Sequence, residues 1–341
     1  MDLHTIPLLA ERGVDWSLFL DLTQSHGLTP VAADCLRLSC AGLPGAVAQT
    51  LERLRRENAK RCLVFSAELA RITEQCERDG IRLVALKGPT LAALYPDPSW
   101  RVFGDLDLLV APDQLEGAIE SLARLGYLSA EPPSMRRARR DYRKWEFELP
   151  LVHRDLGVHL ELHWRLLPRG FPAQLPVDAF IDRTETIVIE GTPVRVLESA
   201  DQLLFLSAHG AKHSWSTLDL AIDVWRVVNG FDDRDREAAF ARARGYGAAR
   251  MLDFALNAAE SLTTQPRNFQ TDGTVAKIHF RVPLTLSDSP WARLSYIACR
   301  IFVPTEEDWR SLRDPWRGLY PLHFPWRWLR LGRKALSRGF P

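Results

Sequence analysis

Asp105 and Asp107 stand two positions apart in the run DLDLLV (105–110), alternating with Leu106, Leu108 and Val110. Successive side chains of an extended strand point to opposite faces, so both carboxylates share one face and the leucines the other. Two carboxylates this close repel, and one takes up a proton unless a cation compensates them. A divalent ion with oxygen ligands, Mg²⁺ or Mn²⁺, is the usual compensation. The run HLELHW (159–164) repeats the pattern, with His159, Glu161 and His163 alternating with Leu160, Leu162 and Trp164. If the two strands are neighbours, Glu161 becomes a third carboxylate beside the first two. Three carboxylates can hold two Mg²⁺ ions that stabilise the attacking and leaving oxygens of an in-line phosphoryl displacement.

Cationic partners precede the aspartates. In LKGPT (86–90), Gly88 lets the backbone approach a phosphate, and Lys87 can meet its charge. Arg101 lies four residues before Asp105 and offers a planar fork for phosphate oxygens. Further along, HGAKHSW places His209 and His213 four apart on one helical face with Lys212 between them. No third ligand accompanies the two histidines, so a zinc pair is disfavoured. His209 and Asp223 are expected to be structural, and His163 is expected to orient Glu161 or contact substrate.

Elements that could position these residues follow from periodicity. Residues 1–78 read as helical, with Gly80 as the stop. IRLVAL (81–86) and DLDLLV read as strands, and the segment 111–127 as a helix capped by Asp113, with Leu115, Ile119, Leu122 and Leu125 on one face. Residues 151–164 read as a hairpin turning at RDLG, and 186–197 as another turning at Glu190-Gly191. From Ser199 onward the pattern is helical. The expected division is a helical region 1–78, an α/β core 79–198 and a helical region 199–341 that ends in a basic, Trp-rich tail.

Composition excludes little. The 341 residues carry 44 Lys and Arg against 43 Asp and Glu, a net charge of +1, so no global field draws the chain to nucleic acid or membrane. MRRARRDYRK (135–144) is a local exception, with six basic residues around Tyr142 that could grip RNA. Five cysteines without paired spacing fit a reducing compartment, and no stretch is long and apolar enough to span a bilayer. A cytoplasmic location is the expectation. The tail interleaves Trp316, Trp326 and Trp328 with arginines. Packing of the tail across the body through Trp–Arg contacts is expected in preference to lying on a membrane.

The ordered set LKG, Arg101 ahead of DLDLLV, a helix ending in LGY, HLELHW and SAHGAKHSWSTLDLAIDV resembles the bacterial nucleotidyltransferase-like family of the DNA polymerase β superfamily, over about residues 50 to 335. The resemblance implies an α+β fold: a mixed sheet of the polymerase β type flanked by helices. It implies transfer of a nucleoside monophosphate from an NTP, ATP among them, to an acceptor hydroxyl or phosphate. Asp105 and Asp107 would be metal ligands, and Glu161 the third carboxylate that helps deprotonate the acceptor. Lys87 and Gly88 take the place of the phosphate-loop residues. The superfamily turn is typically Gly-Ser or Gly-Gly, so with Lys87-Gly88-Pro89 here, Thr90 is expected to supply the hydroxyl. The helix bearing Lys212 and His213 would close the nucleotide cleft. Small molecules, peptides and RNA are all open as acceptors. Two other readings are a toxin-like enzyme that modifies tRNA ends and a nucleotide-binding protein without catalysis.

Overall fold

The computed structural model describes residues 13–39, 43–129, 146–263, 282–304, 308, 311–312 and 320–337. The N-terminal region comprises helices α1 (Trp16–Ser25), α2 (Thr29–Ser39) and the long α3 (Gly45–Arg78). The strands that follow are β1 (Val84–Ala85), β2 (Asp105–Leu109), β3 (Tyr127–Ser129), β4 (Glu148–His153), β5 (His159–His163), β6 (Thr184–Ile189) and β7 (Thr192–Leu197). They form a seven-stranded sheet in the order β3-β4-β5-β2-β1-β7-β6. β2 pairs parallel with β5 and β1 with β7, and the other pairings are antiparallel. The fold is α+β with a mixed sheet.

The alternation read from the sequence sets the two layers. Leu106, Leu108, Leu160 and Leu162 are fully buried on one face of the sheet, each worth about 1.5–3 kcal/mol of burial. They pack against Cys62, Phe65, Leu69, Ile72 and Cys76 of α3, whose three- and four-residue spacing traces one helical face. Helix α5 (Leu115–Arg124) adds Leu115, Ala118 and Leu122 to the same layer, while α4 is the short turn Pro89–Ala92. On the opposite face, Val84, Leu86 and Leu109 meet α7 (Ser199–Lys212), which is buried along most of its length. Around α7 stand α8 (Leu218–Val228), α9 (Asp233–Tyr246) and α10 (Ala249–Ser261), and α6 (Val177–Asp182) contributes Phe180 and Ile181. The β6–β7 hairpin turns at Glu190 and Gly191, both with positive φ, as a tight hairpin turn requires.

Three expectations need correction or refinement. The strand expected over 81–86 is regular only at Val84 and Ala85, with Leu86 N–H adding one more bond to Asp107 O. Asp113 does not cap α5: it sits inside a short 3₁₀ turn, Pro112–Gln114, after which the helix begins uncapped by any side chain. The tail helix packs through arginines on Asp308 as well as through the Trp328 ring on Phe302. In α12 (His323–Ser337) the buried Arg327 points inward to Asp308, while Trp328 is 56% exposed. Asp308 is fully buried and needs cations, and Arg327 and Arg330 both reach it, so the basic side of the helix turns in. Trp326 donates its indole N–H to Ser311 Oγ at 2.8 Å, and Trp316 lies outside the described residues.

Between the two layers runs a buried ion pair. Arg101 donates from Nε and Nη2 to the two carboxylate oxygens of Asp223, both at 2.8 Å, and from Nη1 to Gly88 O at 3.3 Å. Tyr95 Oη donates to the same Asp223 at 2.8 Å. Asn58 of α3 holds the carbonyl of Arg101 at 3.1 Å. Removing one partner strands a buried charge, so Asp223→Ala is expected to lower stability by about 3–5 kcal/mol in urea unfolding. Replacing both, as Arg101→Met with Asp223→Leu, is expected to cost clearly less than Asp223→Ala alone.

Candidate active site

The site is assembled by strand register. Asp107 lies opposite Glu161, Leu109 opposite His163, and Glu148 opposite His163 from the other side. Asp105, Asp107, Glu148, Glu161 and His163 therefore share the sheet face turned toward α7. Asp107 is the deepest. Lys87 Nζ lies 3.1 Å and His163 Nε2 3.3 Å from its Oδ1, while its buried Oδ2 has no hydrogen-bond partner. Burial alone would raise the Asp107 carboxyl, but Lys87 and His163 outweigh it and hold it well below the usual range.

The neighbours split in opposite directions. Burial and the Asp107 charge push Asp105 up to about 6. Burial would lower His163, yet the carboxylates of Asp107 and Glu161, 3.3 and 3.7 Å from its Nε2, push it up to about 9. Glu161 is lowered, chiefly by the His163 imidazole 3.7 Å away. Burial also opposes the Lys87 ammonium, but Asp107 and Asp105 raise it above its ordinary value. His209, buried and beside Lys87, is driven well below its usual range. It is therefore neutral, and Lys87 Nζ donates into its Nε2 at 3.2 Å. Burial, Lys212 and Lys87 push His213 down to about 4, and its ring lies 4.4 Å from that of His209.

Glu148 is the site residue that the sequence reading missed. Its Oε2 is buried without a hydrogen-bond partner and lies 3.7 Å from both His163 Nδ1 and Lys212 Nζ. The signal was present in FELPL, where Leu149 and Leu151 alternate with it. Lys212 also caps the Phe147 ring, its Nζ 4.2 Å from the centroid.

Two candidates lie elsewhere than their expected roles require. Arg101 spends its guanidinium on Asp223 and Gly88 O and is buried, so it cannot fork a phosphate without breaking that pair. Thr90 is buried and donates its hydroxyl to Lys87 O at 3.0 Å, so it shapes the turn from within. Gly88 is required for a further reason. Its φ is +71°, and a Cβ there would stand 3.3 Å from Asp105 O. The basic run 135–144 lies outside the described residues.

Two clefts meet at the carboxylates. One, about 710 Å³, is lined by Asp105, Glu148 and Glu161 and by the cations Lys87, Lys212, Arg169 and Arg300, with His213 beside them. The other, about 310 Å³, is lined by Asp105 and Glu161 together with Gly104 and His159. The donor set fits a divalent ion: one ligand atom each from Asp107, Glu161 and His163 lies within 4.8 Å of the others, next to the orphaned Asp107 oxygen. Asp105 stands outside that group of three, and His163 takes its expected place.

The mixed sheet thus carries, beside a cation-lined cleft, a carboxylate–imidazole cluster compatible with a divalent ion. The sequence matches the model of a family described as uncharacterised nucleotidyltransferase over residues 12–264, well over half of the chain, and the protein belongs to that family. No curated protein matches the sequence. Among solved structures, an antigenic nucleotidyltransferase-like protein from Paracoccidioides brasiliensis aligns at a TM-score of 0.33 and 13% identity. The alignment covers 57% of this chain and 92% of that one, a likeness too slight to bear on the fold.

Metal affinity should follow the two raised groups. A proton on Asp105 or on His163 competes with the cation, so affinity rises as pH rises through their pKa values of about 6 and about 9. Calorimetric titration with Mn²⁺ is expected to show affinity still increasing between those values. With His163→Gln the rise is expected to end near the lower one.

Proposed function

We propose that the protein is a divalent-metal-dependent nucleotidyltransferase of the polymerase β type. It would move a nucleoside monophosphate from an NTP to an acceptor hydroxyl or phosphate, with pyrophosphate leaving. The observation that carries this reading is the Asp107–Glu161–His163 group beside a cationic cleft that Glu161 lines. Asp107, Glu161 and His163 would hold the ion, with Asp105 completing the site on its exposed side. When bound, Mg²⁺ or Mn²⁺ supplies charge stabilisation at the oxygens around the reacting phosphorus. The imidazole in the donor set favours Mn²⁺ relative to an all-oxygen site.

Lys87, Lys212 and His213 line the larger cleft, which would take the triphosphate. Arg169 and Arg300 also line this cleft and would take the phosphate-facing role in place of Arg101. Arg101 and Thr90 instead set the Gly88 turn from behind. The acceptor is assigned to the smaller cleft, because Asp105 and Glu161 border both spaces. A hydroxyl there lies beside two carboxylates able to take its proton. Asp105, poised near 6, is the better matched of the two to proton transfer at neutral pH.

One observation favours the non-catalytic alternative. Lys87 already compensates Asp107 with an ammonium 3.1 Å away, as a bound cation would. Pyrophosphate release separates the two readings. The wild-type protein is expected to release pyrophosphate from at least one NTP with Mg²⁺ or Mn²⁺. Asp105→Asn with Asp107→Asn is expected to reduce the rate about a hundredfold or more. Lys212→Ala is expected to raise KM for the NTP more than it lowers kcat. Undiminished turnover in the double aspartate variant overturns the assignment. NTP binding seen as a thermal shift, with no pyrophosphate released, establishes the binding-only reading.

A further inference from the structure

The outer face of the C-terminal helices is apolar. In α11 (Pro290–Phe302), Trp291, Leu294, Ile301 and Phe302 recur at helical spacing with Ala298 between them, and all are exposed, Trp291 by 78%. Tyr296, on the other side of the helix, is buried against Phe171. Helix α12 continues the surface with exposed Phe324, Trp328 and Leu329, and the Phe302 and Trp328 rings meet edge-on at 5.5 Å. Helix α12 is therefore turned inside out relative to an ordinary surface helix, with Arg327 and His323 buried, while α11 exposes an apolar stripe in addition to the side it buries at Tyr296. A contiguous apolar face of this kind on a water-exposed surface marks a contact with something else.

Charge and composition say what that contact is. Neither helix contains an acidic residue; Arg327 and Arg330 are spent on Asp308 and Arg300 lines the cleft, which leaves Arg333 exposed on the outer face, followed in the sequence by Lys334 and Arg338. From Pro315 to the last residue, the sequence has six basic residues, no acidic one and three tryptophans. Exposed tryptophan on an apolar stripe that runs on to Arg333 and the basic last residues is the chemistry of a helix lying in the headgroup region of an anionic bilayer. We propose that α11 and α12 form a docking face for an anionic lipid surface, with Trp291, Leu294, Phe302, Trp328 and Leu329 inserted among the acyl chains and Arg333 at the headgroups. This is surface attachment only: no helix among the described residues is long and apolar enough to cross a membrane. RNA fits the charge but not the aliphatic outer face, and a second copy of the chain would set basic helices against each other.

Attachment would have a consequence for the site. Cys299, Arg300 and Val303 line the larger cleft from the side of α11 away from the stripe. Docking would hold that cleft at the bilayer surface.

Co-sedimentation of the full chain with vesicles tests the proposal. Binding is expected to phosphatidylcholine–phosphatidylglycerol vesicles, to be much weaker to phosphatidylcholine alone, and to fall with salt. Tryptophan emission is expected to shift to the blue on binding. Trp291→Ser with Leu294→Ser is expected to lower partitioning about tenfold or more, with Mn²⁺ binding unchanged as the control for folding. Arg333→Glu is expected to weaken binding only to the anionic vesicles, a readout that does not depend on the apolar variants. No binding to anionic vesicles, or equal binding by wild type and the Trp291/Leu294 variant, overturns the proposal. So does a dimer in light scattering that Trp328→Ser dissociates, since the face would then be an interface between copies. Retention on RNA in place of vesicles overturns it as well.

Discussion

A fully buried carboxylate is the constraint around which the site is arranged. Asp107 is almost without exposure, and an isolated charge there would be prohibitively costly. The structure meets that cost with Lys87 from the turn after β1 and His163 from the neighbouring parallel strand, both on one oxygen, while the second oxygen is left free. The same two cations are drawn to the surrounding carboxylates, which is why Lys87 and His163 stay charged despite burial and why Asp105, farther from them, does not fully ionise below about 6. The parallel pairing of β2 with β5 brings Glu161 into the same space. Shifting that register by one residue would turn Glu161 into the leucine layer.

Depth alone would not make a cleft. The helices from Ser199 onward cover one end of the carboxylate face, and the Arg101–Asp223 pair fastens them to the loop that leads into β2. Because Arg101 also reaches Gly88 O, the backbone turn beside Lys87 and the helix α8 are tied to one guanidinium. His209 at the end of α7 then meets Lys87, and Lys212, one turn later at the helix terminus, meets Glu148. The position of the cations over the cleft is thus set by packing of the second layer, with α11 closing the far wall.

The elements were legible where period and burial agree. Alternation in DLDLL and HLELH announced two strands with one apolar and one ionisable face, because each must bury its leucines against α3 and α5. Glu190-Gly191 announced its hairpin by turn chemistry. Asp113 misled because an acidic residue before an apolar run is a capping signal, yet Pro112 nucleates a 3₁₀ turn that absorbs it. Glu148 was overlooked because a lone glutamate at a strand start looks like solvent-facing polarity, and only its antiparallel register with His163 brings it inside. The tail misled for a related reason: spacing shows that α12 is amphipathic but not which side faces in.

The sequence by itself determined the two amphipathic strands, the shared face of Asp105 and Asp107, the glycine turn that precedes them and the helical regions on either side. These depend on local periodicity and on the conformational range of single residues, which need no distant partner. The tertiary structure alone decided which strands are neighbours, and so that Glu148 and His163 join Asp107 and Glu161. It also decided that Arg101 answers to Asp223 and not to the cleft, and that the C-terminal helices turn their apolar stripe outward. Each of these is a contact between residues far apart in the chain. Such contacts are settled by which buried charge finds which partner, and a reading of spacing along the chain does not contain that choice.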